Sequence, residues 1–86
     1  MRQYSKDMDY NEAVLLTQEL VRIPSHKDVE DRESKVAEFI YAYCKEKGLE
    51  VEYQVVEGKR RNVIARLRGN GTGKTLMLSG HIDTVP

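Results

Sequence analysis

The chain has 86 residues, with 14 Lys and Arg against 14 Asp and Glu and a formal net charge of zero. Apolar residues are 40% and charged residues 33% of the total, which suits one thin-cored globular domain or a piece of a larger one. The balanced charge argues against a nucleic-acid or anionic-membrane partner, where a basic excess is expected.

Residues 1–8 are polar and expected to be a flexible N-terminus. The opening stretch MRQYSKDMDYNE has no apolar run of the kind a secretory signal needs, and no later run approaches the ~18 residues that span a membrane. A cytoplasmic location is the expectation. Asp9 and Glu12 have the spacing of a capping box. Ala13, Leu16, Leu20 and Ile23 follow at helical intervals, and Pro24 cannot continue the helix, so a first helix is predicted over about 10–22. Ser25 to Asp28 reads as a polar linker, with His26 solvated.

A second helix is predicted over about 30–47, with Val29, Val36, Phe39, Ile40 and Tyr43 on one face. Lys45 and Lys47 suit its last turn, where cations oppose the helix dipole. Gly48 suits the left-handed terminating conformation, with Leu49 folding back toward Cys44. Cys44 is the only cysteine, so no internal disulfide and no Cys-based zinc finger can form. It reads as a packing residue.

The period then changes from 3.6 to 2. Val51, Tyr53 and Val55 alternate with Glu52 and Gln54, which predicts a strand near 50–57. Residues 57–61 form a turn, whose Lys59-Arg60-Arg61 cluster reads as solvated. A second strand is predicted near 61–69. After a glycine-rich turn, Leu76-Met77-Leu78 is a continuous apolar run, predicting a third strand near 74–81 buried on both faces. The fold class is therefore α/β, two helices packed on a three-stranded partial sheet.

Two stretches suggest chemistry. Gly69-Asn70-Gly71-Thr72-Gly73-Lys74-Thr75 looks like a phosphate-binding loop, but that loop needs a glycine five residues before Gly73, where Arg68 stands. It also needs a helix opening at the Lys-Thr pair, and Leu76-Met77-Leu78 is strand-like. A hairpin turn is the better reading. His81 and Asp83 are two apart, which on a strand places both on one face. An imidazole can bind zinc through one nitrogen while a carboxylate holds the other, fixing the tautomer.

The run from Leu76 to Pro86 resembles the first signature of the acetylornithine deacetylase, succinyl-diaminopimelate desuccinylase and carboxypeptidase G family of zinc-dependent amidohydrolases and metallopeptidases. Leu20-Val21-Arg22-Ile23-Pro24-Ser25 is similar to the end of that family's first helix. Glu38 to Val51 resembles its second helix and first strand, and Asn62-Val63-Ile64-Ala65 its second strand. The resemblance covers residues 9–86 and implies the N-terminal segment of a catalytic domain. It implies His81 as a zinc ligand and Asp83 as the acidic residue that positions it, with cobalt or manganese as alternative metals.

In that family the bridging aspartate, the paired glutamates, the later ligands and the lid domain follow this signature. The resemblance therefore implies a segment that is not active alone. The full enzyme would act on N-acyl amino acids or small peptides. The alternative is a small non-catalytic α/β interaction module or a truncated reading frame. A third strand left uncovered would also leave a sheet edge open to self-association.

Overall fold

The computed structural model describes residues 10–26 and 32–84 of the chain. Helix α1 spans Tyr10–Arg22 and helix α2 Ser34–Glu46. Strands β1, Glu50–Glu57, and β2, Arg60–Arg66, form one antiparallel hairpin, and α2 packs against both. The two helices and the α/β class are those read from the sequence.

Helix α1 ends as expected at Arg22, ahead of Pro24, and the Ile23 N–H reaches the Leu20 carbonyl at 3.2 Å. Leu16, Leu20 and Ile23 are half-buried, whereas Ala13 on the same predicted face is exposed. Asp9 of the capping box lies outside the described residues. Its partner Glu12 reaches α2 instead: the Tyr43 hydroxyl donates to its carboxylate, and the Lys47 ammonium lies 2.9 Å away.

Helix α2 begins at Ser34 rather than near residue 30, after a turn in which Arg32 takes a positive φ of 49°. Val29, assigned to its apolar face, lies outside the described residues. Val36 and Ala37 form the fully buried core, at 2% and 0% exposure, with Phe39, Ile40 and Tyr43 half-buried beside them. The helix closes as its sequence predicts. Gly48 has φ of 86°, its N–H reaches the Lys45 carbonyl at 3.0 Å, and the Leu49 N–H reaches the Cys44 carbonyl at 3.1 Å. These are the paired bonds that satisfy orphan carbonyls at a helix end.

In the hairpin, Val51 faces Ala65 and Tyr53 faces Val63. Val51 and Tyr53 are half-buried, but Val55, on the same predicted face, is 68% exposed, and the register slips just after it, between Val55 and Glu57. Gly58, with φ of 56°, makes the turn. The Lys59-Arg60-Arg61 cluster is not the solvated turn its composition suggests. Arg60 pairs with Glu33 at 2.9 Å, while Arg61 pairs with Glu38 at 3.0 Å and lies 4.1 Å over the Tyr53 ring. Tyr53 in turn stacks on Tyr41, centroid to centroid at 4.3 Å. These contacts fasten the hairpin to α2.

The third strand expected near 74–81 is absent among the described residues. The sheet has two strands, β2 stops at Arg66, and no regular element occurs between Leu67 and Thr84. Leu76, Met77 and Leu78 are 81%, 83% and 86% exposed. Apolarity marks a run that can be buried, but a strand also needs a partner for its backbone groups. Among the described residues β1 and β2 pair only with each other. Asn70 organises the preceding bend, its side-chain oxygen accepting from the Thr72 N–H at 3.0 Å and the Thr72 hydroxyl at 2.7 Å. No helix opens at Lys74 or Thr75, so the phosphate-loop geometry is missing.

Candidate functional site

His81 and Asp83 come together without a strand to place them. His81 Nδ1 lies 3.0 Å from the Asp83 carbonyl oxygen and 3.1 Å from its carboxylate Oδ1. Both partners are acceptors, so Nδ1 carries the hydrogen and donates. In the neutral ring this leaves Nε2 with the free lone pair. The side chains are 85% and 61% exposed, so this pair is presented to solvent rather than held in a buried strand end.

The segment 79–83 borders an open groove of about 470 Å³, whose other walls include Ile40 on α2, Glu33 at its start, and Arg60, Arg61 and Asn62 on β2. The Arg60 guanidinium holds the Glu33 carboxyl below its ordinary range, against the opposing effect of partial burial. Among the described residues no group of three or more His, Cys, Asp or Glu side chains could hold a metal ion. His81 with Asp83 has the donor chemistry of one ligand and its support, not of a whole metal centre.

The chain is similar to several curated proteins over most of its length. It is 37% identical over 68 residues to a probable carboxypeptidase of Aspergillus clavatus, covering 79% of this chain and 15% of that protein. It is 33% identical over 78 residues to an acetylornithine deacetylase of Aliivibrio fischeri, covering 91% and 20%. It is 36% identical over 81 residues to a probable carboxypeptidase of Emericella nidulans, covering 92% and 18%. The chain is homologous to a segment of the acetylornithine deacetylase and carboxypeptidase family. It spans no more than a fifth of the length of these relatives, at 15%, 20% and 18%. No family model matches the chain. No solved structure matches it either.

Several features of the chain escape a linear reading. Ser25, assigned to a polar linker, is 1% exposed, and its hydroxyl lies 3.4 Å from that of Thr84. His26 is half-buried rather than solvated. Ser34 is 2% exposed and donates to the Lys59 carbonyl at 2.8 Å. Each of these serines meets a partner remote in the chain, so no local spacing marks it. Cys44 is free and half-buried near the end of α2, as a packing residue would be. Among the described residues no helix is long and apolar enough to cross a membrane.

Proposed function

We propose that the chain is the N-terminal segment of a co-catalytic zinc hydrolase that cleaves amide bonds of N-acyl amino acids or small peptides. The observation that carries this reading is the contact of His81 Nδ1 with the Asp83 carboxylate at 3.1 Å. That contact leaves Nε2 free to ligate and favours the tautomer with the hydrogen on Nδ1, as a supporting carboxylate does beside a metal-bound imidazole. Zinc, when bound, polarises the scissile carbonyl and lowers the pKa of its water. His81 would supply one bond to it, and Asp83 would orient the ring and raise its basicity. On this reading the chain alone would hold zinc weakly and would not catalyse, since among the described residues no group of three or more metal-ligating side chains completes a site. The substrate class is that of the relatives, one named for deacetylating acetylornithine and others named carboxypeptidases.

Zinc titration of the 86-residue chain, followed by NMR of the His81 ring and by calorimetry, tests this. Weak binding that perturbs the ring and disappears in His81→Ala is the expected result. Tight one-to-one binding lost in His81→Ala would place a complete site within this chain. A His81 ring that zinc leaves unperturbed would remove the ligand role.

A further inference from the structure

Ser25 is 1% exposed at the junction between the two helices. A buried hydroxyl without a partner costs free energy, so the partner it finds matters. The nearest such group is the Thr84 hydroxyl, 59 residues away in sequence and 3.4 Å away in space, a long contact beyond the roughly 2.5–3.0 Å usual between hydroxyls. Thr84 adjoins Asp83, whose carboxylate and carbonyl hold His81. Between them, half-buried Ile82 lines a groove of about 210 Å³ with Leu20 of α1 and with Val36 and Ile40 of α2. The segment 81–84 lies outside any helix or strand, so no ladder of backbone bonds fixes it. Among the described residues it meets Ser25, just past the end of α1, and the helices through the Ile82 groove.

We infer that Ser25 is a positioning residue for the His81–Asp83 pair, acting through Thr84 to hold the ligand-bearing segment at the junction of α1 and α2. The inference rests on the proposed ligand role of His81 for its functional meaning, but the tether itself does not depend on metal. In an otherwise exposed segment, a tether next to Asp83 limits the orientations available to the imidazole. The ordering is then present before a metal arrives, and the entropy of fixing the ligand is not lost at binding.

Backbone order parameters of the Ile82 and Asp83 amides test this on the 86-residue chain. The parent protein should show values near the rigid range of about 0.85, and Ser25→Ala or Thr84→Val should lower them toward about 0.6 or below. The double variant should be no more mobile than either single one, and Thr84→Ser should restore the parent values. The Tyr53 and Val63 amides of the hairpin should not change, which separates a tether from a general loss of fold. The His81 Nδ1–H signature in 15N spectra should persist in the parent and average out in the two disrupted variants. Unchanged Ile82 and Asp83 order in Thr84→Val, whose altered side chain is exposed, would overturn the inference. So would an equal loss of order in the hairpin. If zinc fails to perturb His81 while these order parameters behave as stated, the metal reading falls and the tether stands.

Discussion

Arg60 grips Glu33 with two hydrogen bonds, Nε to Oε2 at 2.9 Å and Nη2 to Oε1 at 3.0 Å. The pair joins the strand after the hairpin turn to the residue that precedes α2, and Glu33 also places negative charge at the helix N-terminus, where the dipole favours it.

This geometry sets an acid limit on stability. Hydrogen bonding from Arg60 lowers the Glu33 pKa below its ordinary 4.5. The folded chain therefore binds that proton more weakly than the unfolded chain does. The resulting stability is fully present above the ordinary carboxylate value and is lost as pH falls through the lower folded value. Glu33→Gln should reduce stability at neutral pH and shrink the acid-induced loss. It should not abolish that loss, because Tyr43 and Lys47 lower the Glu12 pKa and Arg68 lowers that of Glu50. Thermal unfolding at neutral and acid pH measures both effects. Equal acid sensitivity in parent and variant would refute the assignment to Glu33.

Gly48 gives a second, local test. Its φ is 86°, and an added Cβ would meet no atom within 4 Å, so any cost of substitution comes from the backbone alone. Gly48→Ala should destabilise by about 1–2 kcal/mol, the cost of holding an L-residue in the left-handed region. Urea denaturation should show a lower midpoint with an unchanged slope. An unchanged midpoint would mean that the helix end relaxes to another closure.

Ala37 tests the core. It is 0% exposed, beside Val36 at 2%, and lies within one helical turn of Ser34 and Tyr41, which both meet the hairpin. Ala37→Leu should cost about 1–3 kcal/mol by overpacking. Denaturant unfolding checks this, and a neutral result would show that the hairpin is free to move outward from the helix.

What could be read from the sequence was local. Pro24 ended α1, Gly48 ended α2, and alternation from Val51 to Tyr53 marked β1, because each signal acts within a few residues. The third strand failed because Leu76-Met77-Leu78 reports apolarity but carries no information about which strand would pair with it. The Lys59-Arg60-Arg61 cluster was misread for a related reason, since Glu33 and Glu38 lie 27 and 23 residues from their partners. At the candidate site, the i, i+2 spacing assigned His81 and Asp83 to one face of a buried strand; that strand is not formed, and the two meet through a local contact in an exposed segment. The spacing did not reveal Ser25, whose partner is 59 residues away.

Asp83 should matter to metal more than its own coordination would suggest. Its Oδ1 lies 3.1 Å from His81 Nδ1, on the side of the ring away from Nε2. Asp83→Ala should weaken zinc binding at His81 by on the order of 10–100-fold, as loss of a carboxylate behind a ligating imidazole does. NMR titration of the His81 ring can read such an affinity even when binding is weak. Unchanged affinity would show that the carboxylate neither orients nor tunes the imidazole.

The exposed run at Leu76, Met77 and Leu78 should drive association. These side chains are 81%, 83% and 86% exposed, and Leu67 is 83% exposed in the same unpaired stretch. Covering a large apolar side chain contributes about 1.5–3 kcal/mol, so consecutive exposed ones favour contact with a second molecule. Their backbone groups also lie outside any sheet ladder and can pair with another chain. Sedimentation equilibrium should show an average mass that rises with concentration. The double substitution Leu76→Ser and Leu78→Ser should return the protein toward monomer, whereas Val21→Ser, at a position 66% exposed on α1, should not. A stable monomer for the parent chain at high concentration, or equal rescue by Val21→Ser, would show that this run is not the associating surface.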